Sequence, residues 1–525
     1  MTLAGLLARA ALRRPDADAV VDGARRLTYG ELERLSASLA GGLTRLGVHK
    51  GDRVLIALRN RAEHVLAYWA LQRIGGVPTP VNFRLAAGEM AYLLDDSGAR
   101  VVLFEGATGP AVLPAARGRD LILISADPDP PVEAVAFESL LAEGPGPDGE
   151  AGEEDLSLIL YTSGTTGRPK GVPRTHQNHY AGALAHVIQC GYGWGERTLG
   201  VMPLYHTMGI HSLTSMVAVN GCFVCQPDWS AAGALGRIAA ERLTALYLIP
   251  TLFYDLVHAP ELAPTDVSSV KKLAYAGAPM LAPLTEACLK AFGPRVFVNH
   301  YGSTEIYTFS VRPDVHLKPG CAGRPGIHST LRVVVASTER RVGPDEVVPP
   351  GQKGEIIARL DSDEAFAGYW NRPDADARAL RDGWYFTGDM GYVDVEGELY
   401  VAGRVDDMII SGGENIHPVE VEEVLARHPG VRDVAVVGEP DERWGERVVA
   451  FVVPAARDLT AETLDGYCRE SPDLASFKRP RRIVFVEDIP KTASGKILRR
   501  LLREDGSAQP QGGGGAAGDA RPRRA

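Results

Sequence analysis

The segment YTSGTTGRPKG at 161–171 sets three glycines, four aliphatic hydroxyls and one lysine directly after the apolar run 156–160. Small residues let backbone N–H groups approach an anion closely. The hydroxyls of Thr162, Ser163, Thr165 and Thr166 add donors, and Lys170 adds a point charge. With Gly164 and Gly167 this makes a cradle for phosphate and points towards a nucleotide triphosphate. The spacing is not that of the P-loop GxxxxGK[ST], because only two residues separate Gly164 from Gly167 and Lys170 is followed by Gly171. A Walker-type NTPase is therefore disfavoured. Composition alone also admits a plain Gly/Ser/Thr loop.

The elements that must hold such a loop are those of a large enzyme. A chain of 525 residues predicts roughly two to four domains. A hydrophobic fraction of 45%, a charged fraction of 23% and a mean hydropathy of -0.07 predict a soluble globular protein, with no apolar run long enough to span a bilayer. The formal net charge of -10 argues against general nucleic-acid affinity while permitting local basic patches. Six scattered cysteines make no disulfide framework, so a reducing, cytoplasmic setting is expected. Cys222 and Cys225 form a CxxC, but no second pair stands at zinc spacing and their apolar neighbours predict a buried strand. The start of the chain is apolar before its basic residues, the reverse of a signal peptide, and predicts an amphipathic first helix.

Patterns at 29–46 (helix), 53–58 (strand) and 64–74 (helix) alternate, as do later apolar runs at 245–249, 272–276 and 295–299. Such alternation predicts an α/β fold with parallel sheets covered by helices, and ligands beyond the carboxyl ends of the strands. The loop at Ser163, the turn Gly277, Ala278, Pro279 and the segment 301–305 each follow one of these runs. Near 403–413 the pattern becomes a charged, glycine-containing connector. Beyond it Pro418 opens a helix with Val421, Val424 and Leu425 on one face, and strands follow at 431–437 and 447–453. The expected division is a large domain 1–403, a hinge 404–407, a small α+β lid 408–505 and a disordered tail 506–525, the last rich in Gly, Ala, Pro and Arg.

Five further motifs stand in fixed order after the glycine-rich loop: MPLYHTMG at 202–209, YGSTE at 301–305, YFTGD at 385–389, GRVDDMIISGGENIHP at 403–418 and PKTASGKILRR at 490–500. Together they resemble the adenylate-forming superfamily of acyl- and aryl-CoA ligases, adenylation domains and luciferase. The resemblance runs from the first helix to Arg503. ISGGENIHP, DERWGE and FKRP look most similar to aryl-CoA ligases of the 4-chlorobenzoate-CoA ligase type.

That resemblance implies two half-reactions in one site. A carboxylate attacks the α-phosphorus of MgATP to give an acyl-adenylate and pyrophosphate, and the thiol of CoA then expels AMP. Implied roles are Mg²⁺ binding for Glu305, ribose binding for Asp389, adenine stacking for Tyr301, and ribose and phosphate contact for Arg404. Gly277, Ala278 and Pro279 would form the nucleotide wall, beside Gly302, Ser303 and Thr304. Lys496 would bridge carboxylate and α-phosphate. Asp406 would be the pivot on which the lid turns, bringing Gly412 and Gly413 to the pantetheine tunnel. His206 would orient the carboxylate or shield the adenylate, while Arg84, Trp444, Arg479 and Arg481 would meet the nucleotide end of CoA.

By the same resemblance the acyl pocket is lined by His206, Thr207, Met208, Tyr247, Ala276, His300, Ile306 and Tyr307. These side chains suggest a compact, fairly flat acid, and His300 and Tyr307 could hydrogen-bond a ring substituent. The aspartate that amino-acid activators place beside Tyr205 and His206 is missing. The expected protein is an AMP-forming acid–CoA ligase, monomeric or homodimeric, with ATP, Mg²⁺, CoA and a small carboxylic acid as its partners and neither nucleic acid nor membrane insertion. Three other readings remain open: an enzyme loading a carrier protein, a medium- or long-chain fatty acyl-CoA ligase, and a noncatalytic nucleotide-binding protein.

Overall fold

A computed structural model of the protein describes residues 1–506 apart from 130, 132–133, 143, 147–148, 150, 163–167, 281, 338–339, 412–413, 442, 456–457, 472–473, 493–494 and 496. The chain divides into two compact units, Met1–Val405 and a second that begins at Asp406.

The first unit is built around a nine-stranded sheet whose central six strands are parallel. Their order is Val296–Tyr301, Lys272–Tyr275, Ala245–Leu248, Arg197–Gly200, Cys222–Cys225 and Asp18–Asp22, with antiparallel strands at both edges. A second, all-parallel sheet contains Arg53–Ala57, flanked by Val77–Pro80 and Val101–Phe104. Strands covered on both faces read as unbroken apolar runs, and Val54, Leu55 and Ile56 have no exposed surface. The helices start and stop where local chemistry directs. Thr28 accepts from the Glu31 N–H while the Glu31 carboxylate accepts from the Thr28 N–H, which opens helix Tyr29–Arg45. Helix Ala62–Ile74 ends at Gly75, whose φ of 69° suits glycine. The first helix is Leu3–Arg13, and strand Cys222–Cys225 is fully buried with its thiols free. No helix among the described residues is long and apolar enough to cross a membrane.

Two expectations are corrected, one on strand pairing and one on Gly506. The run 156–160 does not join a parallel sheet: Leu156–Thr162 pairs antiparallel with Lys170–Thr175 in a two-stranded ribbon. The connection is too short for a parallel crossover, which needs roughly a dozen residues. Within the predicted connector the described residues form the end of strand Leu399–Arg404, a 3-10 turn Val405–Asp407 and a strand Ile409–Ser411, and the division between the two units falls there, between Val405 and Asp406. Gly506, assigned to the tail from the sequence, is the last residue of helix Arg499–Gly506, and 507–525 lie outside the described residues.

An antiparallel sheet containing Gly354–Arg359, Trp384–Val393 and Leu399–Arg404 completes the first unit. The second unit is α+β. Strands Val431–Asp441 and Gly445–Pro454 form its long hairpin, Arg482–Phe485 runs parallel to the latter, and helix Pro418–Ala426 buries Val421, Val424 and Leu425.

Candidate active site

The carboxyl ends of the parallel strands deliver the predicted residues. Strand Lys272–Tyr275 leads to Ala276 and to Gly277, whose φ of 87° is left-handed and strains any other residue, so the chain turns there through Ala278 and Pro279. The neighbouring strand Val296–Tyr301 ends on Tyr301. Its hydroxyl donates to Asp389 Oδ2 at 2.7 Å, while Arg404 Nη1 donates to Asp389 Oδ1 at 2.7 Å and to the Thr387 carbonyl at 3.2 Å. The register makes this possible, since Asp389 and Arg404 are cross-strand partners. The sequence Thr387, Gly388, Asp389 has the composition of a turn. It lies within strand Trp384–Val393, where Gly388 (φ 71°) breaks the pleat and the Thr387 hydroxyl accepts from the Asp389 N–H at 3.0 Å. Burial and then the Asp389 carboxylate push the Tyr301 phenol well up, so it remains a donor. Burial opposes the charge on Arg404, but the adjoining Asp389 outweighs it and the guanidinium pKa is raised.

Glu305 is 6% exposed, and one carboxylate oxygen accepts from the Tyr369 hydroxyl at 2.7 Å. Tyr369 also lies under Lys170, whose Nζ is 3.9 Å from the ring centroid. Burial lowers the Lys170 pKa, against the pull of Glu305. The Glu305 loop is fastened from below by Arg174, which is fully buried. Its guanidinium donates to the carbonyls of Thr304 (3.2 Å), Glu305 (2.7 Å) and Glu364. Ser303 Oγ accepts from the N–H groups of Glu305 and Ile306, at 3.2 and 3.3 Å, and Thr207 Oγ1 meets Thr304 Oγ1 at 3.2 Å. Gly302 allows this tight loop: a Cβ there would overlap the Tyr307 carbonyl oxygen and lie 2.7 Å from its carbon.

Sequence reasoning missed Arg174, Tyr369 and Glu364, because their partners are remote in the chain. Glu364 has no exposed surface, and burial lifts its carboxyl pKa to about 7 against the opposing pull of Arg174. The folded state therefore keeps a proton that the unfolded chain releases near the ordinary value of 4.5. Stability tied to this group is complete below pH 4.5 and is lost as pH rises through 7. Glu364→Gln, which cannot titrate, is expected to match the wild-type Tm near pH 4.5 and to exceed it at pH 8 by about 2–4 °C in calorimetry. Equal melting at both pH values would contradict that assignment.

Of the residues expected to line the acyl pocket, His206 caps helix Thr207–Ala218, with Nδ1 accepting from the Met208 N–H at 3.4 Å. Burial holds its pKa down at about 4, so the imidazole is neutral. Tyr247 and His300 lie with ring centroids 5.7 Å apart, and Met208, Tyr247 and Ala276 share one buried cluster. Ile306 does not join them: it packs with Val172, Phe309 and Phe366. The sequence reading also missed His186 and His211. His186 lies 4.6 Å from Tyr247 and 5.0 Å from His300, and His211 lies 3.9 Å from Tyr307, centroid to centroid. The signal for His186 was the spacing His176, His179, His186 on one helix; His211 follows Thr207 by one turn.

Among the remaining predicted residues, Thr162 Oγ1 contacts the Lys170 carbonyl at 3.5 Å. Arg84 stacks on Phe83 at 5.1 Å. In the second unit Trp444 is 41% exposed beneath Arg443, while Arg479 is paired with Asp465 at 3.1 Å and the Arg481 N–H is bonded to the Val448 carbonyl. Ser163, Gly164, Thr165, Thr166, Gly167, Gly412, Gly413 and Lys496 lie outside the described residues, as does the side chain of Asp406. The adjacent Asp407 is 3.6 Å from Arg499, which also grips Glu422 at 2.6 and 2.8 Å.

The description "AMP-binding enzyme" matches residues 7–370, and "AMP-binding enzyme C-terminal domain" matches residues 420–496. The chain belongs to the AMP-binding enzyme family. Its relatives in this family include a 4-chlorobenzoate-CoA ligase from Arthrobacter, 37% identical over 514 residues (95% of this chain, 94% of the relative). A long-chain-fatty-acid-CoA ligase from Mycobacterium tuberculosis is 34% identical over 494 residues (92% and 94%). Among solved structures, a benzoate CoA ligase from Burkholderia xenovorans superposes with a TM-score of 0.86 at 28% identity, covering 96% of this chain and all (100%) of that one. This AMP-binding enzyme is accordingly an ATP-dependent acid–CoA ligase that forms an acyl-adenylate and then an acyl-CoA thioester.

Proposed function

We propose that this ligase activates an aromatic or similarly compact carboxylic acid. The observation that carries the reading is the set of rings on the acyl side. Tyr247, His300, His186, His211 and Tyr307 adjoin one another with centroid separations of 3.9 to 5.8 Å. Rigid rings suit a flat acid better than a flexible chain, because they lose little side-chain freedom on contact.

In this reading Asp389, held by Tyr301 and Arg404, receives the ribose hydroxyls, and Gly277–Pro279 give the base a close wall. Glu305 suits a hard cation, being a buried carboxylate that already accepts from the Tyr369 hydroxyl, so it would hold Mg²⁺. When bound, Mg²⁺ neutralises phosphate charge during the attack. Lys170 and the hydroxyls of 162–166 bind phosphate, His206 as a neutral donor or acceptor orients the carboxylate, and Lys496 supplies the cation between carboxylate and α-phosphate. The division into 1–403, 404–407 and 408–505 with Asp406 as the pivot would let the small domain withdraw Lys496 and bring in Gly412 and Gly413. Trp444, Arg479, Arg481 and Arg84 would receive the nucleotide part of CoA; for Arg479 this requires exchanging Asp465 for phosphate.

Pyrophosphate release measured over benzoates, cinnamates, alicyclic acids and fatty acids, with and without CoA, tests this directly. Ring acids are expected to give the highest kcat/KM and free CoA to accept the acyl group. A preference for long alkyl acids, or transfer only to a carrier protein, overturns the reading.

A further inference from the structure

We propose that the buried cluster of His186, His211, His300 and Tyr307 recognises a hydrogen-bonding substituent, a hydroxyl or amino group, on the acid's ring remote from the reacting carboxylate. This rests on the compact-acid reading above and names the substrate class within it.

The position follows from the chain. His211 comes four residues after Thr207, whose hydroxyl meets Thr304, so it lies about 6 Å further along the helix axis. Tyr307 comes two residues after Glu305, and His300 immediately precedes Tyr301. Three of the four members are thus spaced by a short stretch of chain from a group assigned to the reacting end, a separation comparable to the width of one aromatic ring, and His186 joins them through His300, 5.0 Å away between ring centroids.

The chemistry of the cluster matches a neutral polar group. Burial pushes His300 down to about 4 and holds His186 and His211 well below the ordinary histidine value, with the neighbouring histidines adding to it. A neutral imidazole presents one donor and one acceptor. A phenolic hydroxyl or an aryl amine can satisfy either, whereas a methyl or chloro group of similar size satisfies neither. His211 Nε2 is buried without a hydrogen-bond partner among the described residues, whereas Tyr307 also meets the Arg174 guanidinium, 3.8 Å from its ring centroid. An unpaired buried polar atom is costly, and a ligand that pairs it recovers that cost. The packing is also specific: a Cβ at Gly182 would overlap Tyr307 Cδ2 and come within 3.0 Å of His211 Nε2, so the helix backbone itself seats both rings.

A metal ion is the competing occupant, because ligand atoms of His186, Cys190 and His300 lie within 4.8 Å of one another. Two features favour the organic substituent. The Cys190 thiol is pushed up to about 12 by burial, and such a metal would leave the His211 nitrogen unanswered.

The experiment compares kcat/KM for meta- and para-substituted benzoates carrying hydroxyl, amino, methyl or chloro groups, in the wild type and in His211→Leu and His300→Phe. The hydroxy or amino acid is expected to exceed its methyl and chloro counterparts by about tenfold or more at one ring position. That ratio is expected to collapse in both variants. The wild-type ratio stands alone should a variant fail to fold. Methyl or chloro acids turned over as well as hydroxy and amino acids, or a ratio unmoved in both variants, overturn this inference. So does stoichiometric metal in the isolated protein that is lost in Cys190→Ala. If no ring acid is activated while fatty acids are, the compact-acid reading itself has failed; if ring acids are activated without regard to the substituent, only this inference has.

Discussion

Lys496→Ala is expected to slow acyl-adenylate formation by about 10²- to 10³-fold, the usual effect of removing one preorganised group from developing charge. Thioester formation from added acyl-adenylate is expected to continue at nearly the wild-type rate. The asymmetry follows from where charge accumulates. An anionic carboxylate must approach an anionic triphosphate in the first half-reaction, whereas a thiol attacks an activated acyl group in the second. Rapid-quench measurement of each half-reaction decides the matter: an equal loss in both, or none in the first, removes the lysine from the proposed role.

Gly302→Ala is expected to lower kcat/KM for ATP by about 10²-fold, since a misplacement on the order of 1 Å has that effect on positioned groups. The position has no left-handed φ; what it lacks is room. The added Cβ would overlap the backbone of Tyr307, and backbone cannot rotate aside as a side chain can. Opening the loop shifts Tyr301 on one side and Glu305 on the other. A variant that melts like the wild type and binds ATP with undiminished affinity would show that the loop tolerates what its geometry forbids.

Much of the architecture was legible in the sequence because it is written locally. The apolar runs of the parallel strands and the turn at Gly277 each lie within a few consecutive residues. The ordered motifs likewise marked Asp389, Arg404, Tyr301 and Glu305, three of which the fold joins by hydrogen bonds. Local reading failed where pairing direction or distant contacts decide. Leu156–Thr162 has the composition of a parallel strand, but its partner starts eight residues later and must run back. Asp389 follows a threonine and a glycine that read as a turn, yet cross-strand pairing with Arg404 holds it extended. Tyr369 and Arg174 carry no motif, since what matters is a carboxylate 64 positions away and carbonyls 130 to 190 positions away.

Those separations have a consequence for assembly. The guanidinium of Arg174 needs the carbonyls of 304, 305 and 364 in place before its donors are met, so three distant parts of the chain must dock around one side chain. Contacts of such long sequence separation come at a high loop-closure cost and are slow to form. No fragment ending before Glu364 contains the whole clamp. In refolding, the Glu305 loop therefore acquires its final shape only after the first unit has closed around it.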